Sequence, residues 1–237
     1  MITVLYDNYR AQEGLRNAWG FSCLVEEYGT SVLFDTGGDG DILMSNLRAL
    51  NVSPEKVDSL VLSHDHWDHT GGLECFLEHS RKLKVFLPRD FEDPTKDTVR
   101  KNGAELHETE RITTIVPQIT TTPVFHSPLV EQGLCVNGPG GTVLITGCAH
   151  PGIVHMVQVV KETTGSPVTT VLGGFHLKDD WNTSINRKVA ELKDLGVARG
   201  GPSHCSGDAA REKMARSFGD DYLDVGLGSR IALEDLC

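Results

Sequence analysis

The sequence predicts a layered α/β or α+β domain with helices on its outer faces. Three observations predict it. The first third holds short apolar strands, and the last third alternates helices with strands. Three apolar runs also end in glycine or proline followed closely by histidine, as at Thr146-Gly147-Cys148-Ala149-His150.

Taken in order, Ile2–Leu5, Phe21–Glu26 and Ser31–Asp35 read as strands, and Asp35-Thr36-Gly37-Gly38 as a turn. Asp41–Leu50 has helical spacing, with Ile42, Leu43, Leu47 and Leu50 on one side. Val57–Ser63 reads as a buried strand and Lys84–Leu87 as another, ended by Pro88. Residues 89–110 are charged and predict irregular chain with one or two helical turns. Ile112–Phe125 reads as one or two strands broken by Pro117 and Pro123. Leu134–Asn137 and Thr142–Thr146 flank the glycine-rich turn of a hairpin. Helices then follow at Gly152–Thr163, Thr183–Leu195 and Gly207–Ser217, with strands at Val168–Leu172 and near Val197.

A length of 237 residues suits one domain spanning 1–237, with no repeat or long linker to divide it. No run approaches the ~18 apolar residues of a membrane span, and the N-terminus lacks a signal-peptide pattern. A cytoplasmic location is therefore expected, with no membrane partner. The net charge of −11 argues against nucleic acid as a partner. Cysteines stand at 23, 75, 135, 148, 205 and 237, with no Cys-x-x-Cys pair, so disulfides are not expected.

The chemistry concentrates in His64-Asp65-His66-Trp67-Asp68-His69, at the mouth of the Val57–Ser63 strand. In extended backbone, residues two apart point the same way, so His64, His66 and Asp68 are expected to converge. His69 breaks that parity and is better placed for a second metal. A lone histidine is usually a surface or core residue. Four metal-capable side chains in six positions, before Gly71-Gly72, outweigh that reading. Imidazoles suit Zn, Fe, Ni or Cu, and a carboxylate widens the choice to Mn. A catalytic zinc takes three protein ligands and keeps a position open, so at least one more must come from elsewhere. His150, His176 (in Gly173-Gly174-Phe175-His176) and His204 (in Pro202-Ser203-His204-Cys205-Ser206-Gly207) are the candidates.

The His64–His69 cluster, the LFDTGG turn and the strand-histidine motifs resemble the metallo-β-lactamase superfamily over nearly the whole chain. Within it, GCAHPGI, GGFHL and PSHCSG resemble the dihydropteroate-synthase-like branch associated with methanopterin biosynthesis. The resemblance implies a four-layer αββα sandwich with a mono- or dinuclear metal site at one edge. It implies that His64, His66 and His150 hold one metal, and Asp68, His69 and His204 a second. Asp35 matches an early aspartate that braces the metal loop; capping of the Asp41 helix is its alternative.

Many members place a metal-bridging aspartate where this chain has Cys148. Cys148 is then either a soft thiolate ligand or a neutral packed thiol, the second being favoured. His126 competes with His150, and His176 competes with His204 unless it lies behind the ligands and meets substrate. His79, His107 and His155 have no supporting context and are expected at the surface or on helices.

The expected function is metal-assisted hydrolysis of a small molecule, phosphorylated or pterin-like, with one or two Zn2+ ions and Fe or Mn as alternatives. Asp68 and His176 are the expected catalytic side chains, His176 for proton delivery or transition-state stabilisation. A transferase joining 7,8-dihydropterin diphosphate to an aminobenzene ribose phosphate is the second expectation, and a non-catalytic metal-binding or ligand-binding protein the third. Trp67 and Trp181 suit stacking on a flat ring, although ordinary packing is the favoured expectation for both.

Overall fold

A computed structural model of the chain describes residues 1–27 and 29–235. Seven strands form the first sheet: β1 (Ile2–Tyr6), β2 (Ser22–Glu27), β3 (Thr30–Phe34), β4 (Ser59–Val61), β5 (Lys84–Pro88), β6 (Glu105–Thr109) and, on the outer side of β1, β13 (Arg230–Ile231). Six form the second: β7 (Thr114–Val116), β8 (Ile119–Thr121), β9 (Leu134–Gly138), β10 (Gly141–Thr146), β11 (Val168–Gly174) and β12 (Arg199–Ser203). Helices α1 (Gly40–Ala49), α2 (Trp67–Thr70), α3 (Leu73–Glu78) and α4 (Asp93–Lys101) belong to the first half. Helices α5 (Ile153–Thr164), α6 (Asn182–Asp194) and α7 (Asp208–Phe218) belong to the second.

Strand alternation sets the layers. In β2, Cys23 and Val25 face one way and Leu24 the other; in β3, Val32 and Phe34 oppose Leu33. Cys23, Val25, Val32 and Phe34 pack between the sheets with Val143 and Ile145 of β10. Leu24 and Leu33 pack outward with Leu43, Leu47 and Phe76 of the helices. Leu144 of β10 likewise turns outward, toward Met156 and Val160 of α5 and Met214 of α7. Three apolar seams thus separate four layers, helix–sheet–sheet–helix.

Strands β3 to β6 run parallel, as do β10 to β12. Their carboxyl ends are where ligands of open α/β sheets bind.

Several elements depart from the sequence-based reading. Residues 89–110 contain the nine-residue helix α4 and the whole of β6. Charge hid both, because α4 buries Val99 and the stem of Lys96, whose ammonium pairs with Glu108 at 2.9 Å. The strand expected near Val197 lies two residues later, and β13 was not expected. Cys237 lies outside the described residues; the other five cysteines are free thiols.

Candidate metal centre

The His64–His69 segment leaves β4 in extended form. Backbone at His66 is still extended (φ −99°, ψ 146°), so His64 and His66 keep strand parity. At Trp67 the chain turns into α2, which swings Asp68 and His69 away from that pair. This corrects the expected convergence of Asp68 with His64 and His66. The donor atoms of His64, His66 and His150 lie within 4.8 Å of one another, and those of Asp68, His69 and His204 form a second such set. The two sets adjoin, since the His64 and His69 ring centroids are 4.1 Å apart. Asp65 points elsewhere: its carboxylate accepts from Glu92 N and Thr95 Oγ1 around the start of α4.

The other residues come from strand ends of both sheets. Asp35 follows β3, His150 follows β10, His176 follows β11 and His204 follows β12. Six described residues other than glycine have φ between 47° and 59°, and Asp35, Ala149, His176 and His204 are four of them. Left-handed backbone costs an L-residue ~1–2 kcal/mol, and such positions gather at functional sites.

Behind the cluster, the Nδ1 of four histidines is already engaged. His69 Nδ1 meets Asp35 Oδ2 at 2.7 Å, and His150 Nδ1 meets Glu131 Oε2 at 2.9 Å. His64 Nδ1 meets Ser63 Oγ at 2.8 Å, and His204 Nδ1 meets Asn8 Oδ1 at 2.9 Å. Ionised carboxylates and the Asn8 carbonyl oxygen only accept, so the proton sits on Nδ1 and Nε2 carries the lone pair. Ser63 fits the same scheme, because its hydroxyl donates to Asp35 Oδ2 at 2.7 Å and is left to accept from His64.

The Nε2 atoms of His64 and His204 are buried without a hydrogen-bond partner. His204 Nε2 lies 3.3 Å from Asp68 Oδ2, near enough for charge attraction but without hydrogen-bond geometry. Leaving such an atom unsatisfied costs ~1–3 kcal/mol, so one buried lone pair within each set of donor atoms fits a cation there. Three imidazoles in one set, with two imidazoles and a carboxylate in the other, suit Zn, Fe or Mn chemically.

Burial lowers the His69 ring to about 3 and takes His64 well below the ordinary imidazole range, which keeps both neutral. Burial also pushes the Asp35 carboxyl up, opposed by the hydroxyl and amide of Ser63. Glu131 is fully buried, yet the His150 ring, the nearby His64 ring and the His150 amide hold it at about 2 against that penalty; the amides of Cys148 and Ala149 donate to it as well.

Glu131 and Asn8 were missed by sequence reasoning. Glu131-Gln132 directly before an apolar strand was a usable signal, because a buried carboxylate needs a dedicated set of donors. Nothing local marked Asn8. The capping alternative for Asp35 fails, since Asp39 caps α1 by accepting from Ile42 N at 2.9 Å. His176 stands beside the first set, 4.5 Å between ring centroids from His150, and groups with Cys148 and Cys205. Cys148 is buried with its Sγ 3.4 Å from His69 Nε2, and the neighbouring Cys205 and burial push its thiol well up. His126 is exposed, paired with Asp90 at 3.2 Å, and joins none of the described groups. His107 lies on β6, stacked on Phe86.

A two-sheet sandwich with this histidine-lined edge defines a class of protein. The chain belongs to the metallo-β-lactamase superfamily, whose sequence profile matches residues 20–163. It is 27% identical to the 7,8-dihydropterin-6-methyl-4-(β-D-ribofuranosyl)-aminobenzene-5′-phosphate synthase of Methanocaldococcus jannaschii, over 95% of this chain and 93% of that protein. An uncharacterised protein of the same organism is 30% identical over 95% of this chain and 98% of its own length. The crystal structure of a metal-dependent hydrolase of the β-lactamase superfamily superposes with a TM-score of 0.82 at 28% identity, covering 98% of both chains.

Proposed function

We propose that the chain is a metal-dependent hydrolase of a small-molecule substrate. In this reading His64, His66 and His150 hold one divalent ion, and Asp68, His69 and His204 hold a second. The observation that carries it is the pair of buried, unpartnered Nε2 atoms on His64 and His204. Zn2+ suits the donor set best, with Fe and Mn as alternatives.

When bound, such ions acidify water and polarise an oxygen of the substrate. The chain's own groups do the rest. Asp35, Ser63, Glu131 and Asn8 fix four ring orientations before any ion arrives. His176 is exposed and lies beside His150, which suits delivery of a proton to a leaving group. Cys148 serves as a packed neutral thiol, in keeping with its burial and raised pKa.

The test is elemental analysis of protein purified without added metal or chelator, with His64→Ala and His150→Ala variants beside it. Two equivalents in the wild type, and loss of metal and hydrolysis together in the variants, are expected. Full hydrolysis in either variant would overturn the reading.

One observation favours a second reading, a transferase joining 7,8-dihydropterin diphosphate to an aminobenzene ribose phosphate. It is the 27% identity to the methanopterin-type synthase over nearly the full length of both chains. Diphosphate released only when both substrates are present would select it.

A further inference from the structure

The sequence holds no Cys-x-x-Cys pair, yet the fold brings two cysteines together from 57 residues apart. Cys23 and Cys135 pack into the apolar seams as small hydrophobes. Cys148 and Cys205 are equally buried but belong to none of the three seams. They face each other instead.

Sheet register explains how they meet. Strands β10 and β12 lie on either side of β11, with Thr146 opposite Gly173 and Ser203 opposite Gly174. Cys148 stands two residues beyond Thr146, and Cys205 two beyond Ser203, so both loops overhang the end of β11. That strand ends in Gly174. A Cβ there would lie 2.7 Å from Cys205 Sγ and 2.2 Å from Gly147 O. Any larger residue would stand between the two loops, whereas glycine lets them close over the strand. The Cys205 thiol donates to Cys148 O at 3.7 Å, and the two Sγ atoms lie within 4.8 Å of each other. A disulfide needs about 2.0 Å, so a shift of about 3 Å at most joins them.

We propose that Cys148 and Cys205 are a reversible disulfide site, and that the bond and the bound metal ions exclude one another. The bond itself needs no ion; the exclusion rests on the metal assignment proposed above.

The oxidant is a hydroperoxide, in the simplest case hydrogen peroxide. Cys205 is the sulfur attacked first, because exposed His176 stands beside it and donates its amide to Cys205 Sγ at 3.3 Å. That sulfur takes one peroxide oxygen as the O–O bond breaks, giving a sulfenic acid and one water. The Cys148 sulfur then displaces the hydroxyl, which leaves as a second water with the Cys148 thiol proton. Two electrons pass from the two thiols to one peroxide.

The exclusion follows from chain connectivity. Cys148 is two residues from His150, with Ala149 in left-handed backbone between them, and Cys205 adjoins His204. His150 belongs to one set of donor atoms and His204 to the other. Ions that fix those rings also fix the backbone that carries the thiols. Closing the bond in turn draws the rings off their positions, and such coupling is reciprocal.

The test is peroxide treatment of the chelated and the Zn2+-loaded protein, followed by alkylation in denaturant and peptide mapping. In chelator the thiols are expected to fall from six to four, with Cys148 joined to Cys205, and to return with a phosphine reductant. Loading with Zn2+ is expected to slow the bond about tenfold, and the oxidised protein to bind Zn2+ about tenfold more weakly in competition with a chromophoric chelator. Cys148→Ser is expected to form no such bond, to leave a Cys205 sulfenic acid that dimedone traps, and to keep its Zn2+ affinity after peroxide. Absence of the Cys148–Cys205 bond in chelator would overturn the site. Equal rates and equal affinities would overturn the exclusion, as would a peroxide-treated Cys148→Ser variant that weakens as much as the wild type. Protein that binds no Zn2+ in either state would count against the proposed metal centre and the exclusion together, while mapping in chelator still decides the disulfide.

Discussion

Asp35 accepts the Nδ1 proton of His69 at 2.7 Å, and both side chains are fully buried. Asp35 follows β3 and His69 lies in α2, so one carboxylate ties the end of β3 to the short helix that follows β4. The same oxygen takes the Ser63 hydroxyl, and the other oxygen takes the Ser63 amide at 2.7 Å. Glu131 does the equivalent work for His150 beside the second sheet. Each set of donor atoms therefore has its own carboxylate behind it.

Asp35→Asn is expected to lower affinity at the Asp68–His69–His204 set by about 10–100-fold, the usual cost of removing such a support. The amide keeps one acceptor oxygen but presents N–H groups to the Ser63 hydroxyl or to His69 Nδ1. Competition with a chromophoric chelator measures this. Unchanged affinity at both sets would show that Asp35 serves the fold alone.

Glu131→Gln is expected to cost about 2–4 kcal/mol of stability, because four donors lose part of a buried charged acceptor. For a chain of this size that lowers Tm by roughly 5–15 °C. Thermal unfolding of both proteins in chelator removes the metal's own contribution. A Tm within a degree of the wild type would mean that the three backbone amides find other partners.

Much of this was legible in the sequence. The layered class with helices outside follows from the short strands of the first third and the alternation of helix and strand in the last. The four layers were implied by the family resemblance, because Cys23–Val25 and Val143–Ile145 are apolar throughout and show no outward face. His64 and His66 were paired correctly because the backbone there stays extended. Parity alone misplaced Asp68, because it holds only until a helix begins and four residues of α2 are too few to show a 3.6-residue period; the family resemblance grouped it with His69 and His204, as the structure does. α4 was unreadable for another reason. Its apolar face is Val99 and a lysine stem, so burial there depends on pairing with Glu108 of β6, which is remote in sequence. Asn8 could not be found at all, since its link to His204 spans 196 residues.

Gly147→Ala is expected to damage the Asp35–Ser63 brace. A Cβ at residue 147 would lie 2.2 Å from Ser63 Oγ and 2.9 Å from Asp35 Oδ2. Neither atom has room to retreat without breaking its bonds to His64 or His69. Overpacking of this kind costs about 1–3 kcal/mol. In a Ser63→Ala background the nearer clash is gone, so the same substitution is expected to cost less. A double-mutant cycle by urea unfolding reads that coupling. Additive costs would mean that the new methyl acts somewhere other than on Ser63.

Metal removal is the last expectation. An ion that binds only the folded chain adds about 2.7 kcal/mol when its free concentration is a hundred times Kd. Treating loaded protein with chelator is therefore expected to lower Tm by roughly 5–10 °C, and adding Zn2+ back to restore it. The unpartnered Nε2 atoms give the direction, because stripping the ion leaves His64 and His204 with buried lone pairs that water cannot reach. The double variant His64→Ala, His204→Ala removes both atoms, and its Tm is expected to shift little on adding or removing Zn2+. If that variant still gains the full wild-type increment, the ion is held by other residues and the proposed assignment of the two sets falls.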